Sequence, residues 1–83
     1  EYKAVQSLNE IVIMNDGSVY INDELLNITD MSVIENSIFN LPDNEGSIIL
    51  SAHSESLHIW VISVMDILNK YGFDEVQIRT IEK

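Results

Sequence analysis

The sequence predicts an α+β domain in two layers: a small mixed β-sheet with two α-helices packed on one face, in the order ββαβαβ. Three observations predict it. Asp16-Gly17 lies between two β-branched runs, the pattern of a hairpin. Two stretches, Met31 to Leu41 and about Glu55 to Tyr71, carry apolar residues at helical spacing. A strand pattern follows each of them, the apolar run Ile48 to Leu50 and the alternating Val76 to Ile81. A hairpin pairs its strands antiparallel, and a strand–helix–strand unit pairs them parallel with a right-handed crossover. Two helices on one face of a mixed sheet is the simplest arrangement that satisfies both.

Residues 1–7 have no apolar period and read as a linker or a loosely attached strand. Leu8 to Met14 is dense in β-branched residues and reads as a strand. Asn15-Asp16-Gly17-Ser18 reads as its turn, of type I′, because Gly17 supplies positive φ freely. Val19 to Ile21 returns as the second strand. Asn22-Asp23 is a second turn signal, with Leu25 and Leu26 as a short apolar continuation. Thr29 is placed to cap a helix, with Asp30 in its first turn. Met31, Ile34, Ile38 and Leu41 lay one stripe along it, and Pro42 stops it. Pro42 to Gly46 reads as a polar loop. Ser47 to Ala52 holds a continuous apolar run that suits a strand buried on both faces.

The second helix, about Glu55 to Tyr71, is the longest element. Leu57, Val61, Val64, Leu68 and Tyr71 form its stripe, flanked by Trp60, Met65 and Ile67. Ile59 and Ile62 widen the apolar surface beyond a one-sided helix, which points to contact with a second chain. Ser54 and Ser56 read as caps at its start. Gly72 sits where a left-handed C′ glycine belongs, Phe73 where a Schellman ending places its apolar contact. Val76 to Ile81 alternates cleanly and reads as the last strand.

Composition narrows the function. The chain has 83 residues, 46% of them apolar, enough for one domain with one core. Four basic residues against fourteen acidic ones give a net charge of −10, which disfavours nucleic acid and anionic membranes as partners. The absence of cysteine removes disulfides, zinc–thiolate sites and thiol catalysis. No stretch of about 18 apolar residues is present to span a bilayer.

Few residue constellations carry chemistry. His53 and His58 are five apart, where a helical metal pair needs four, so they read as polar surface histidines. A pH-sensing role for them is the sharper alternative. Ser51, Ser54, Ser56, the two histidines and Asp66 supply the letters of a hydrolytic triad. The Gly-x-Ser-x-Gly elbow and a glycine-rich oxyanion loop are missing. Asp43-Asn44-Glu45 fails the alternating spacing of a calcium loop. Tyr20 and Trp60 read as core, with a binding anchor as the alternative. Asp66 reads as solvated. No catalytic, cofactor or metal set emerges, and the chain reads as a non-enzyme.

Three stretches resemble the periplasmic domain of the ExbD/TolR biopolymer-transport family. They are Ile11 to Asn22 (strand, Asp-Gly turn, strand ending in Asn), Ile48 to Ala52 (central strand), and Val61 to Phe73 with the strand Val76 to Thr80 after it. The last is similar to the family's Val-Val-x-Val-Met-Asp-x-Leu-x-x-Ala-Gly-Phe helix. His53, His58 and Tyr71 depart from it, where the family often has Asp, Tyr and Ala. The resemblance implies that residues 8–83 form the periplasmic domain. It implies a linker at 1–7 after a single inner-membrane helix that this chain does not contain. Such proteins pair that helix with an ExbB/TolQ-like multi-pass protein in a proton-driven motor. They form homodimers and relay energy to a TonB- or TolA-type segment for outer-membrane transport.

Within this frame the expected chemistry is that of the backbone. A small open sheet leaves edge strands with unpaired N–H and C=O groups, where another polypeptide can add as a strand. The candidate edge is Val76, Gln77, Ile78, Arg79 and Thr80, with Ile59 and Ile62 as neighbouring contacts. The alternative class is a small ligand-binding or regulatory α/β module, which requires a closed pocket.

Overall fold

A computed structural model describes residues 9–41 and 47–82. The loop reading for Pro42 to Gly46 and the linker reading for 1–7 lie outside the described residues. The elements are β1 (Asn9–Ile13), β2 (Ser18–Ile21), β3 (Glu24–Asn27), α1 (Met31–Phe39), β4 (Ser47–His53), α2 (His58–Lys70) and β5 (Glu75–Ile81). The sheet is mixed and five-stranded, in the order β3-β2-β1-β4-β5. β1 and β2, and β2 and β3, pair antiparallel, whereas β1 and β4, and β4 and β5, pair parallel. The α+β class and the alternation of strands and helices match the expectation. β3 is an addition: the short continuation at Leu25-Leu26 is a paired strand. It forms because Asn22 adopts φ 54°, the left-handed conformation asparagine tolerates, and turns the chain within two residues.

Register assigns the faces. Ile11 opposes Ile21 and Leu50, and Leu50 opposes Ile78. By strand alternation, Ile11, Ile13, Val19, Ile21, Ile48 and Leu50 share the helix side. There they form one core with Ile34 and Ile38 of α1 and Val64 and Leu68 of α2. The opposite face carries Glu10, Val12, Tyr20, Leu25, Ile49, Ser51, Gln77 and Arg79. Tyr20 therefore lies on the face away from the helices and is exposed, which corrects its core reading. Trp60 does pack on the core, half-buried.

Both helices begin differently from expectation. Thr29 does not cap α1: its amide and hydroxyl both donate to Asn27 Oδ1, at 3.0 and 2.8 Å, and the cap position is Asp30. α2 starts at His58 behind Leu57, without a side-chain cap, and Ser56 Oγ donates instead to the His53 carbonyl at 2.8 Å. The first hairpin turn is also different. Gly17 alone has positive φ there, at 91°, and Met14 N–H donates to the Ser18 carbonyl at 2.8 Å. Type I′ needs two positive φ angles; a turn ending in one left-handed glycine is the three-residue hairpin with a glycine bulge. Asp16 stays out of the left-handed region and accepts the Ser18 amide at 2.9 Å.

The end of α2 matches expectation bond for bond. Gly72 has φ 90°, Phe73 N–H donates to the Leu68 carbonyl at 3.0 Å, and Gly72 N–H to that of Asn69 at 3.3 Å. These are the two bonds of a Schellman ending, and buried Phe73 and Leu68 supply its apolar contact.

Candidate polypeptide-binding edge

β5 ends the sheet on one side. Its seven residues extend about 23 Å at strand rise. Which backbone groups face outward follows from one bond. Ser54 N–H donates to the Ile81 carbonyl at 2.9 Å, and His53 opposes Ile81. Ile81 therefore turns its polar groups towards β4. Alternation directs those of Arg79, Gln77 and Glu75 the same way. The N–H and C=O groups of Val76, Ile78 and Thr80 point outward, where no described strand meets them.

The helix side of this edge is poorly covered. Ile78 is 56% exposed, although its register mate Leu50 is fully buried. Ile62 of α2 is 40% exposed. Between them runs an open cleft lined by Ala52, Val61, Ile62, Met65, Ile78, Arg79 and Thr80, with His53, Ser54, Ser56 and His58 at its upper end. A second hollow continues it downward past Met65 to Asp66, Asn69, Phe73, Asp74 and Val76. Met65 lines both, and its unbranched thioether suits a surface that adapts to what it meets.

The structure thus brings Val76, Ile78, Thr80 and Ile62 together. Gln77 and Arg79 alternate onto the other face, where the Arg79 guanidinium donates to Gln77 Oε1 at 3.3 Å, and of the two only Arg79 also lines the cleft. Ile59 is 60% exposed one turn before Ile62 and does not line the cleft. The sequence places Val61 in the stripe of the second helix and Met65 on its flank, and assigns neither to the edge. The signal for them was the excess width of the apolar surface on α2, which one buried stripe does not use.

The histidines separate in role. His53 is 6% exposed, not a surface residue. Its Nδ1 accepts the Glu55 amide at 3.0 Å, and its carbonyl accepts Ser56 N–H at 2.9 Å. It organises the turn between β4 and α2. His58 is exposed at the mouth of the cleft. No group of three or more metal-ligating side chains gathers among the described residues. Of the triad letters, Ser51 Oγ donates to Glu10 Oε2 at 3.2 Å and Ser56 Oγ to the backbone carbonyl of His53, neither to an imidazole nitrogen.

Charge around the cleft is uneven. Asp66 and Asp74 lie on its lower half, both exposed. Lys70, one turn from Asp66, is held elsewhere by Glu35 at 2.7 Å. The hydrogen bonds from Lys70 and then Tyr71, followed by the Lys70 charge, hold the Glu35 carboxyl below its ordinary value. The same hydrogen bond to Glu35 raises the Tyr71 hydroxyl. The chain matches no protein-family model and no curated protein.

Proposed function

We propose that this domain is a non-enzymatic adaptor that grips an extended segment of another protein along β5. Its place is that of the domains its motifs resemble: the periplasmic part of an inner-membrane, proton-motive-force transducer. There it works with an ExbB/TolQ-like channel protein and couples it to a TonB- or TolA-type segment that serves the outer membrane. A homodimer belongs to the same reading, since one edge that accepts a strand also accepts a second copy. The observation that carries the proposal is the outward-facing backbone of Val76, Ile78 and Thr80 beside the apolar wall of Val61, Ile62 and Met65. Added strands use such backbone groups for affinity and side-chain pockets for selectivity.

The test is an amide-resolved NMR titration with TonB-type and TolA-type periplasmic segments. Binding shifts the amides of Val76, Ile78 and Thr80, and Thr80→Pro, which removes an outward N–H, weakens it about tenfold. Gln77→Pro is the wrong variant, because its N–H faces β4 and its loss damages the sheet itself. Absence of binding by both segments, or binding untouched by Thr80→Pro in a folded variant, refutes the proposal.

A further inference from the structure

The reading above leaves open what kind of segment the edge selects, and the cleft is not chemically uniform along its length. Its upper half, beside Ile78, is walled by Val61 and Ile62, and the cation that lines it is Arg79. Its lower half, beside Val76, is bordered by Asp66 and Asp74. Neither carboxylate has an ion-pair partner among the described residues, and the nearest cation on α2, Lys70, is committed to Glu35. Four basic residues against fourteen acidic ones leave the whole chain at −10, so the field over this half is negative at long range as well.

A strand laid against β5 places every second side chain into this cleft. Val76 and Thr80 are four residues apart, so the two halves are met by inward positions about 13 Å apart. Resting on the proposal of edge capture, we infer that the occupant is a basic, alternately apolar strand, with apolar side chains at two successive inward positions over the Val61–Ile62–Ile78 half and a lysine or arginine at the next inward position, facing Asp66 and Asp74. A neutral apolar strand leaves the two acids unmatched. An acidic one adds like charges to a surface that is already strongly negative. A second copy of this chain is the weaker occupant for the same reason: it brings a further −10 of net charge to the contact.

Synthetic strands with valine at two alternate positions and lysine at the next, made in both sequence directions, test this against the same peptides carrying glutamate for lysine. At low salt the better lysine peptide binds about tenfold more tightly than its glutamate counterpart, and added salt shrinks the gap. Asp66→Asn with Asp74→Asn together abolish the preference while leaving the amide shifts on β5. Equal affinity for the two charge forms, with binding still lost in Thr80→Pro, overturns the basic selection and leaves edge capture standing. Binding indifferent to Thr80→Pro overturns edge capture itself. Sedimentation that shows a dimer broken by Thr80→Pro, with no peptide bound, overturns the inference in favour of a second copy.

Discussion

The Tyr71 hydroxyl donates a 2.7 Å hydrogen bond to the Glu35 carboxylate, joining the end of α2 to the middle of α1. Lys70 reaches the same oxygen at 2.7 Å, and the Tyr71 ring meets Phe39 edge-on at 5.4 Å. The helix layer is thereby latched at the end opposite the turn that leads into α2.

This latch gives the domain a pH signature. Glu35 is held below its ordinary value near 4.5, so its ionised form is favoured by folding. The stabilisation is present above that value and disappears as pH falls through the lower, folded-state value. Glu35→Gln therefore lowers Tm at neutral pH, and the gap to wild type closes in the acid range. A gap that is constant with pH refutes the assignment. Exposure of the pair to solvent and salt keeps the effect small.

Burial predicts a steep contrast on one helix. Leu68 is fully buried and Leu57 is exposed. Leu68→Ala costs about 2–5 kcal/mol in urea unfolding, whereas Leu57→Ala stays within about 0.5 kcal/mol. Equal losses at the two sites mean that the core is not where α2 places it.

Two glycines separate backbone strain from crowding. Both have φ near 90°. A Cβ at Gly72 meets nothing within 4 Å, so Gly72→Ala costs about 1–2 kcal/mol of conformational strain. A Cβ at Gly17 lies 3.3 Å from Ile28 Cγ2 and 3.8 Å from the Trp60 ring. Gly17→Ala is the more damaging of the two, measured as the larger drop in Tm.

His53 predicts a rescue. His53→Leu leaves the Glu55 amide without its acceptor and costs about 1–2 kcal/mol. His53→Asn restores an oxygen near the position of Nδ1 and recovers most of the loss. Equal destabilisation by both substitutions places the role of His53 in ring packing instead.

What the sequence made legible was local. The α2 ending was readable because Gly72 and Phe73 occupy fixed positions in one motif. The last strand was readable because Val76 to Ile81 alternates without interruption. The Thr29 cap was misread because Asn27, two residues earlier, takes the hydroxyl that capping needs. β3 was hidden because four residues, Glu24 to Asn27, carry little β-propensity and pair only through the turn at Asn22. The cleft was half legible: Ile62 stood out as a surplus apolar residue on α2, and Ile78 as part of the candidate edge. Their meeting across Met65 depends on how far α2 stops short of covering β5, a tertiary distance that no periodicity encodes.

The pairing of β5 with β4 has a mechanical consequence. Seven register pairs, from Ser47 opposite Glu75 to His53 opposite Ile81, hold the two strands side by side and parallel. A pull along the strand axis loads all these bonds in shear, together. A pull at right angles peels them apart one by one from the end. A tether zipped onto β5 would thus hold fast under tension in one direction and release easily in the other.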